Sequence, residues 1–77
     1  MISKKKFLKQ FGAHIKNLRE EQQLTQAELS NAINKDRQSL QRLEKGNINP
    51  SIYYLYELAT GLEIDIDELL DFKPDKK

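Results

Sequence analysis

The sequence predicts an all-α domain of five short helices, and three observations carry that expectation. Apolar residues recur at helical spacing between sparse punctuators, with Pro only at 50 and 74 and Gly only at 12, 46 and 61. Four helix starts are written as caps or capping boxes, at Thr25, Asp36, Ser51 and Asp65. No segment alternates with period two, so no sheet is expected. The 77 residues are read as a single domain, since the soft prior is roughly 100–200 residues per domain. The core is placed at about 7–72, followed by a flexible tail over 73–77.

Each element has its own reason. Leu8, Phe11, Ile15 and Leu18 fall on one narrow stripe at about 100° per residue, which predicts a first helix over about 4–22. Thr25-Gln-Ala-Glu28 is a capping box, in which the threonine accepts from the Glu28 amide and the glutamate reaches back. It opens a second helix, about 26–33, with Ala27, Leu29, Ala32 and Ile33 as its apolar side. Asn34-Lys35 makes the turn, because Asn tolerates the left-handed conformation. Asp36 caps a third helix, about 37–45, and Gly46 stops it. After the loop Asn47-Ile48-Asn49-Pro50, Ser51 caps a fourth helix over about 52–61. Its stripe is Ile52, Leu55, Leu58, Ala59 and Leu62. Asp65 with Glu68 starts a fifth helix, about 66–71, bearing Leu69 and Leu70.

Composition excludes several function classes. With Cys 0 there is no disulfide scaffold, thiolate metal site or cysteine chemistry. His14 is the single histidine, too few for a metal site, and is read as a partly exposed packing residue. No apolar run approaches the roughly 18 residues of a membrane span. The start MISKKKFLKQ lacks the apolar stretch of a signal peptide, so a cytoplasmic protein is expected. The chain has no Gly-rich phosphate loop, no paired carboxylates in an apolar setting and no nucleophile–base set. Neither an enzyme nor a cofactor is expected.

The net charge of +1 hides an uneven distribution. Residues 1–50 carry ten Lys/Arg against five acids, whereas residues 51–77 carry three Lys against seven. Such a chain fits a polyanion on one part and solvent or a partner chain on the other. The third helix sharpens this. On a wheel, Leu40 and Leu43 face inward, while Arg37, Gln38, Gln41, Arg42 and Lys45 share an arc of about 140°. That arc holds no acid. Arg and Gln are the side chains that read guanine and adenine edges bidentately, and a short helix held by another across a tight turn fits the major groove.

The stretch TQAELSNAINKDRQSLQRLEKG, Thr25 to Gly46, resembles the helix-turn-helix of the phage lambda/434 repressor and Cro type, the XRE family. FGAHIKNLREEQQL upstream and NPSIYYLYELATGLEIDIDELL downstream resemble the flanking helices of that five-helix, lambda-repressor-like fold, so the likeness spans about residues 7–72. It implies that Gln26 contacts a phosphate, aided by the N–H groups at the start of the second helix. It implies base contacts from Arg37, Gln38 and Arg42, and flanking contacts from Ser39 and Gln41. Asn47, Asn49 and the backbone near Ser51 would approach the sugar-phosphate chain, and Arg19 would pair with Glu44. The family usually carries Gly and an aliphatic residue at the turn. Here Lys35 replaces the aliphatic plug and is expected to add a charge near the DNA.

The function expected is sequence-specific binding of double-stranded DNA by a homodimeric regulator, a repressor, on a near-palindromic operator. The lysines and arginines, Lys45 among them, supply salt-dependent affinity by counterion release. Small size without a sensor domain also suits a restriction–modification controller or an antitoxin. A rival from another class is a protein-interaction module that has lost DNA binding. Ile66, Leu70 and Phe72 are the dimer-patch candidates; Leu69 is assigned to the core, and closing the core is the alternative for the others. Tyr53, Tyr54 and Tyr56 lie mostly off the helix stripe and are read as covering the core edge. The run Lys4-Lys5-Lys6 is read as a solvated helix start.

Overall fold

The computed structural model describes residues 1–75. Its elements are α1 (Lys4–Glu21), α2 (Gln26–Ala32), α3 (Arg37–Glu44), α4 (Ile52–Gly61) and α5 (Ile66–Leu69), with no strand among the described residues. The helices begin where side chains satisfy the first free amides. Thr25 Oγ1 accepts from the Glu28 amide at 3.0 Å and Glu28 Oε1 from the Thr25 amide at 2.9 Å. Asp36 Oδ1 accepts from Ser39 at 2.7 Å, and Ser51 Oγ from Tyr54 at 3.0 Å. Ser3 caps α1 in the same way, from the Lys6 amide at 3.2 Å, a start that hydropathy alone had placed only by its stripe.

The helix ends share one device. After α1, α2, α3 and α4 comes a left-handed residue: Gln23 (φ 60), Asn34 (φ 56), Gly46 (φ 79) and Glu63 (φ 56). The next amide then reaches back five residues, as from Leu24 to the Arg19 carbonyl at 3.2 Å and from Asn47 to the Arg42 carbonyl at 2.9 Å. Asn34 and Gly46 are residue types suited to this conformation. Glu63 is not, and the left-handed form costs an ordinary L-residue roughly 1–2 kcal/mol. Glycine there gives back about 0.5–1 kcal/mol through its freer unfolded chain. Glu63→Gly is therefore expected to raise the melting temperature by a few degrees, read by a circular dichroism melt.

The core gathers Phe11 and Ile15 of α1, Leu29 and Ile33, Leu40 and Leu43 of α3, Tyr54, Leu58, Ala59 and Leu62 around α4, and Leu69 of α5. Three expected core residues are elsewhere. Ala27 and Ala32 on α2 are exposed, because Leu29, Ser30 and Ile33 take the buried positions of this segment. Ile52 is 70% exposed. At about 100° per residue it falls some 120° from Leu58, at the centre of the buried face. Tyr54 takes the place expected of Ile52, in register with Leu58 and Leu62.

Backbone contact brings α1 onto the end of α3. A Cβ built on Gly12 would collide with the carbonyl oxygens of Leu43 and Glu44, so only glycine allows this approach. No rotamer change relieves a clash with backbone. Gly12→Ala is expected to destabilise at the upper end of the ~1–3 kcal/mol range for overpacking, measured by urea denaturation, despite alanine's better helix propensity.

The C-terminal segment also departs from expectation. Phe72, expected in a dimer patch, packs within its own chain: its ring lies 5.7 Å from Phe7, 5.6 Å from Phe11 and 5.1 Å from His14, nearly parallel to the last. His14 Nε2 donates to the Leu69 carbonyl at 2.9 Å, which ties α1 to α5. The tail expected to be flexible is fastened at Asp75. Its carboxylate accepts from Gln10 Nε2 at 3.0 Å, its amide donates to Gln10 Oε1 at 2.9 Å, and Lys6 Nζ stands 3.7 Å away. Positions 76 and 77 of that tail lie outside the described residues.

Candidate nucleic-acid interface

Because Leu40, Leu43 and Glu44 of α3 are buried, the opposite side of the helix faces solvent. Arg37, Gln38, Gln41 and Arg42 are exposed on it, as are Lys45 at its C-cap and Asn47 and Asn49 in the following loop. None of the acidic residues 57, 63, 65, 67, 68 and 71 belongs to this face; they lie on α4, α5 and the segments beside them.

Two expected contact residues are partly turned inward. Gln26 is half-buried and its Nε2 donates to Glu44 Oε1 at 3.0 Å. Ser39 is half-buried too, with its Oγ 3.1 Å from the Tyr54 hydroxyl. A wheel locates α3's buried side but does not show that a neighbouring helix offers these polar partners.

Behind α3, Arg19 and Glu44 meet in the interior. Arg19 Nε lies 2.7 Å from Glu44 Oε2, and Nη2 donates to Oε1 at 2.9 Å. The Nη1 group donates to the Leu24 carbonyl at 2.8 Å. This fork-on-fork contact, with only 9% and 3% of the two side chains exposed, joins α1, α3 and the loop before α2. The hydrogen bond to Glu44 holds the Arg19 guanidinium more firmly protonated than usual, against the opposing effect of burial.

Lys35 corrects an expectation. Its charge was placed near the DNA, yet Nζ is 3.0 Å from Glu57 Oε1 and 5.0 Å from the centre of the Tyr54 ring. The Glu57 hydrogen bond raises its pKa. The ammonium is engaged on α4, by Glu57 and the Tyr54 ring. The interacting set of Lys35, Ser39, Tyr54 and Glu57 was not legible in the sequence. Tyr54 was expected off the stripe, at the core edge, but is buried; the signal that points inward is its register with Leu58 and Leu62, at i, i+4 and i+8.

A helix exposing cationic and amide side chains, docked on a second helix across a tight left-handed turn, defines a helix-turn-helix domain. Residues 15–69 match the family model HTH_3, helix-turn-helix, and the chain belongs to that family. It is 39% identical over 59 residues, 77% of each chain, to a protein of Sinorhizobium fredii (strain NBRC 101917 / NGR234) described as an uncharacterized HTH-type transcriptional regulator, y4dJ. Among solved structures it is similar to the restriction-modification controller protein C.AhdI from Aeromonas hydrophila, with TM-score 0.79 and 33% identity over 82% of this chain and 96% of that one. It is also similar to the controller protein C.Esp1396I, solved as a tetramer in complex with its natural 35 base-pair operator, with TM-score 0.78 and 28% identity over 83% and 84% of the two chains. The chain is thus an all-α transcriptional regulator of the helix-turn-helix class. Among the described residues no helix is long and apolar enough to cross a membrane.

Proposed function

We propose that this protein is a cytoplasmic, non-enzymatic repressor that binds a near-palindromic operator as a homodimer and reads each half-site with α3. The observation that carries this reading is the exposed α3 face, with two arginines, a lysine, two glutamines and no acid. Arg37, Gln38 and Arg42 discriminate bases, with Gln41 beside them. Lys45, Asn47 and Asn49 hold the backbone, while Gln26 and Ser39 act at the flanks. One such helix spans only a few base pairs, so useful discrimination requires two, centred about 34 Å apart.

The second copy covers the exposed apolar residues of the acidic half. Ile66 and Leu70 are 36% and 43% exposed, and Ile52 and Tyr56 of α4 add to that surface. Phe72 contributes from beneath, by holding α5 and α1 together. The resemblance to C.AhdI over nearly the whole of that protein favours a controller of restriction–modification genes over an antitoxin.

Selection of bound duplexes from a random pool tests the reading. The expected product is a two-fold symmetric consensus, bound with an affinity that falls steeply as salt rises. Recovery of unrelated sequences with no symmetry overturns it, and protein partners whose capture is indifferent to salt would place the chain among interaction modules instead.

A further inference from the structure

The apolar contacts of Leu40 and Leu43 decide which side of α3 turns inward but set its roll about its own axis only coarsely, because burial of leucine surface has no direction. Leu40 and Leu43 occupy the middle of the buried side. Two hydrogen-bonded latches stand at its edges, about 140° apart on the helical wheel. One is Glu44, held by Arg19 and Gln26. The other is Ser39, held by the Tyr54 hydroxyl at 3.1 Å. Tyr54 is itself held in place: the residue is 7% exposed, with the Lys35 ammonium 5.0 Å from the ring centre and that ammonium on Glu57 at 3.0 Å. The latch thus runs from a fixed point on α4 to the third residue of α3, next to Arg37 and Gln38.

We propose that Tyr54 is a positioning residue for sequence discrimination: through Ser39 it sets the roll of α3 and hence the angle at which Arg37, Gln38 and Arg42 are presented. This rests on α3 being the DNA-reading helix. Tyr54 does not touch the nucleic acid in this arrangement. Its hydroxyl acts because a bidentate contact to a base edge tolerates little misalignment. A small rotation about the helix axis displaces all three tips together.

The test compares wild type, Tyr54→Phe, Ser39→Ala and the double variant. Each is titrated with the duplex recovered by wild-type selection and with a scrambled duplex of equal length. Melting temperature is followed in parallel. Tyr54→Phe keeps the ring and its packing, so the fold is expected to persist. The ratio of specific to scrambled affinity is expected to fall about 5- to 10-fold, with scrambled binding and its salt dependence unchanged. The double variant should lose no more than Ser39→Ala alone, since Tyr54→Phe removes a latch that the missing Ser39 hydroxyl has already broken. If Ser39→Ala loses discrimination while Tyr54→Phe keeps it, Ser39 acts directly on DNA and the proposal is wrong. An equal drop on both duplexes also overturns it, by showing a general loss of fold. If wild type itself prefers no duplex, the functional reading fails first and this inference falls with it. Should Tyr54→Phe not fold, retained discrimination by Ser39→Ala overturns the latch.

Discussion

Arg19→Ala is expected to leave about half of the protein unfolded at 25 °C. The substitution strands the Glu44 carboxylate in the interior, where 3% of that side chain meets solvent. Glu44 keeps the Gln26 amide as a partner but loses both guanidinium hydrogen bonds. The Leu24 carbonyl loses its donor as well. Removing one member of a buried pair costs about 3–5 kcal/mol. A domain of this size holds only about 3–5 kcal/mol in total, so the loss matches the whole stability. The measurement is a circular dichroism melt with urea denaturation, and a melting temperature within a few degrees of wild type contradicts the expectation. Arg19→Met combined with Glu44→Leu should fold again, since apolar side chains of similar volume replace buried pairs at little cost. That recovery separates the penalty of a lone charge from any intrinsic value of the pair.

The second large effect concerns binding. Replacing Arg37, Gln38 and Arg42 together by Ala is expected to lower affinity for the selected duplex at least ~100-fold, because each good bidentate contact contributes about 1–3 kcal/mol. Helicity should hold, since all three side chains are exposed and alanine is a strong helix former. Binding to unrelated DNA should weaken less, in proportion to the two lost cations, and the salt slope should fall by about one for each arginine that neutralises a phosphate. Full retention of discrimination would move the reading surface away from α3.

Much of the architecture was written locally. Caps are short-range chemistry: Thr25 with Glu28, Asp36 with Ser39 and Ser51 with Tyr54 each act within four residues, so the boundaries of α2, α3 and α4 follow from neighbours in the chain. The stripe of α1 and the pair Leu40 and Leu43 likewise fix which sides turn inward. The left-handed ends at Gln23 and Glu63 were invisible, because neither residue type signals that conformation. Packing and the back-reaching amides impose it there.

The tail and the polar contacts behind α3 show where local reading stops. Phe72 looked like a spare apolar residue beside Ile66 and Leu70. It belongs instead to a cluster with Phe7, Phe11 and His14 that lies more than fifty positions away in sequence. Lys35 looked like a charge aimed at DNA, until α4 supplied Glu57 and the Tyr54 ring.

Which segments are helical, which helix presents a cationic, amide-rich surface, and which part of the chain is basic were all readable from the residues in order. These follow from periodicity, capping and charge, all carried by residues close together in the chain. Where these polar side chains find their partners is settled by the packed fold: Gln26 on Glu44, Ser39 on Tyr54, Lys35 on Glu57 and Asp75 on Gln10. A hydrogen bond is made or lost within an ångström, and only folding sets the distance between groups far apart in the chain.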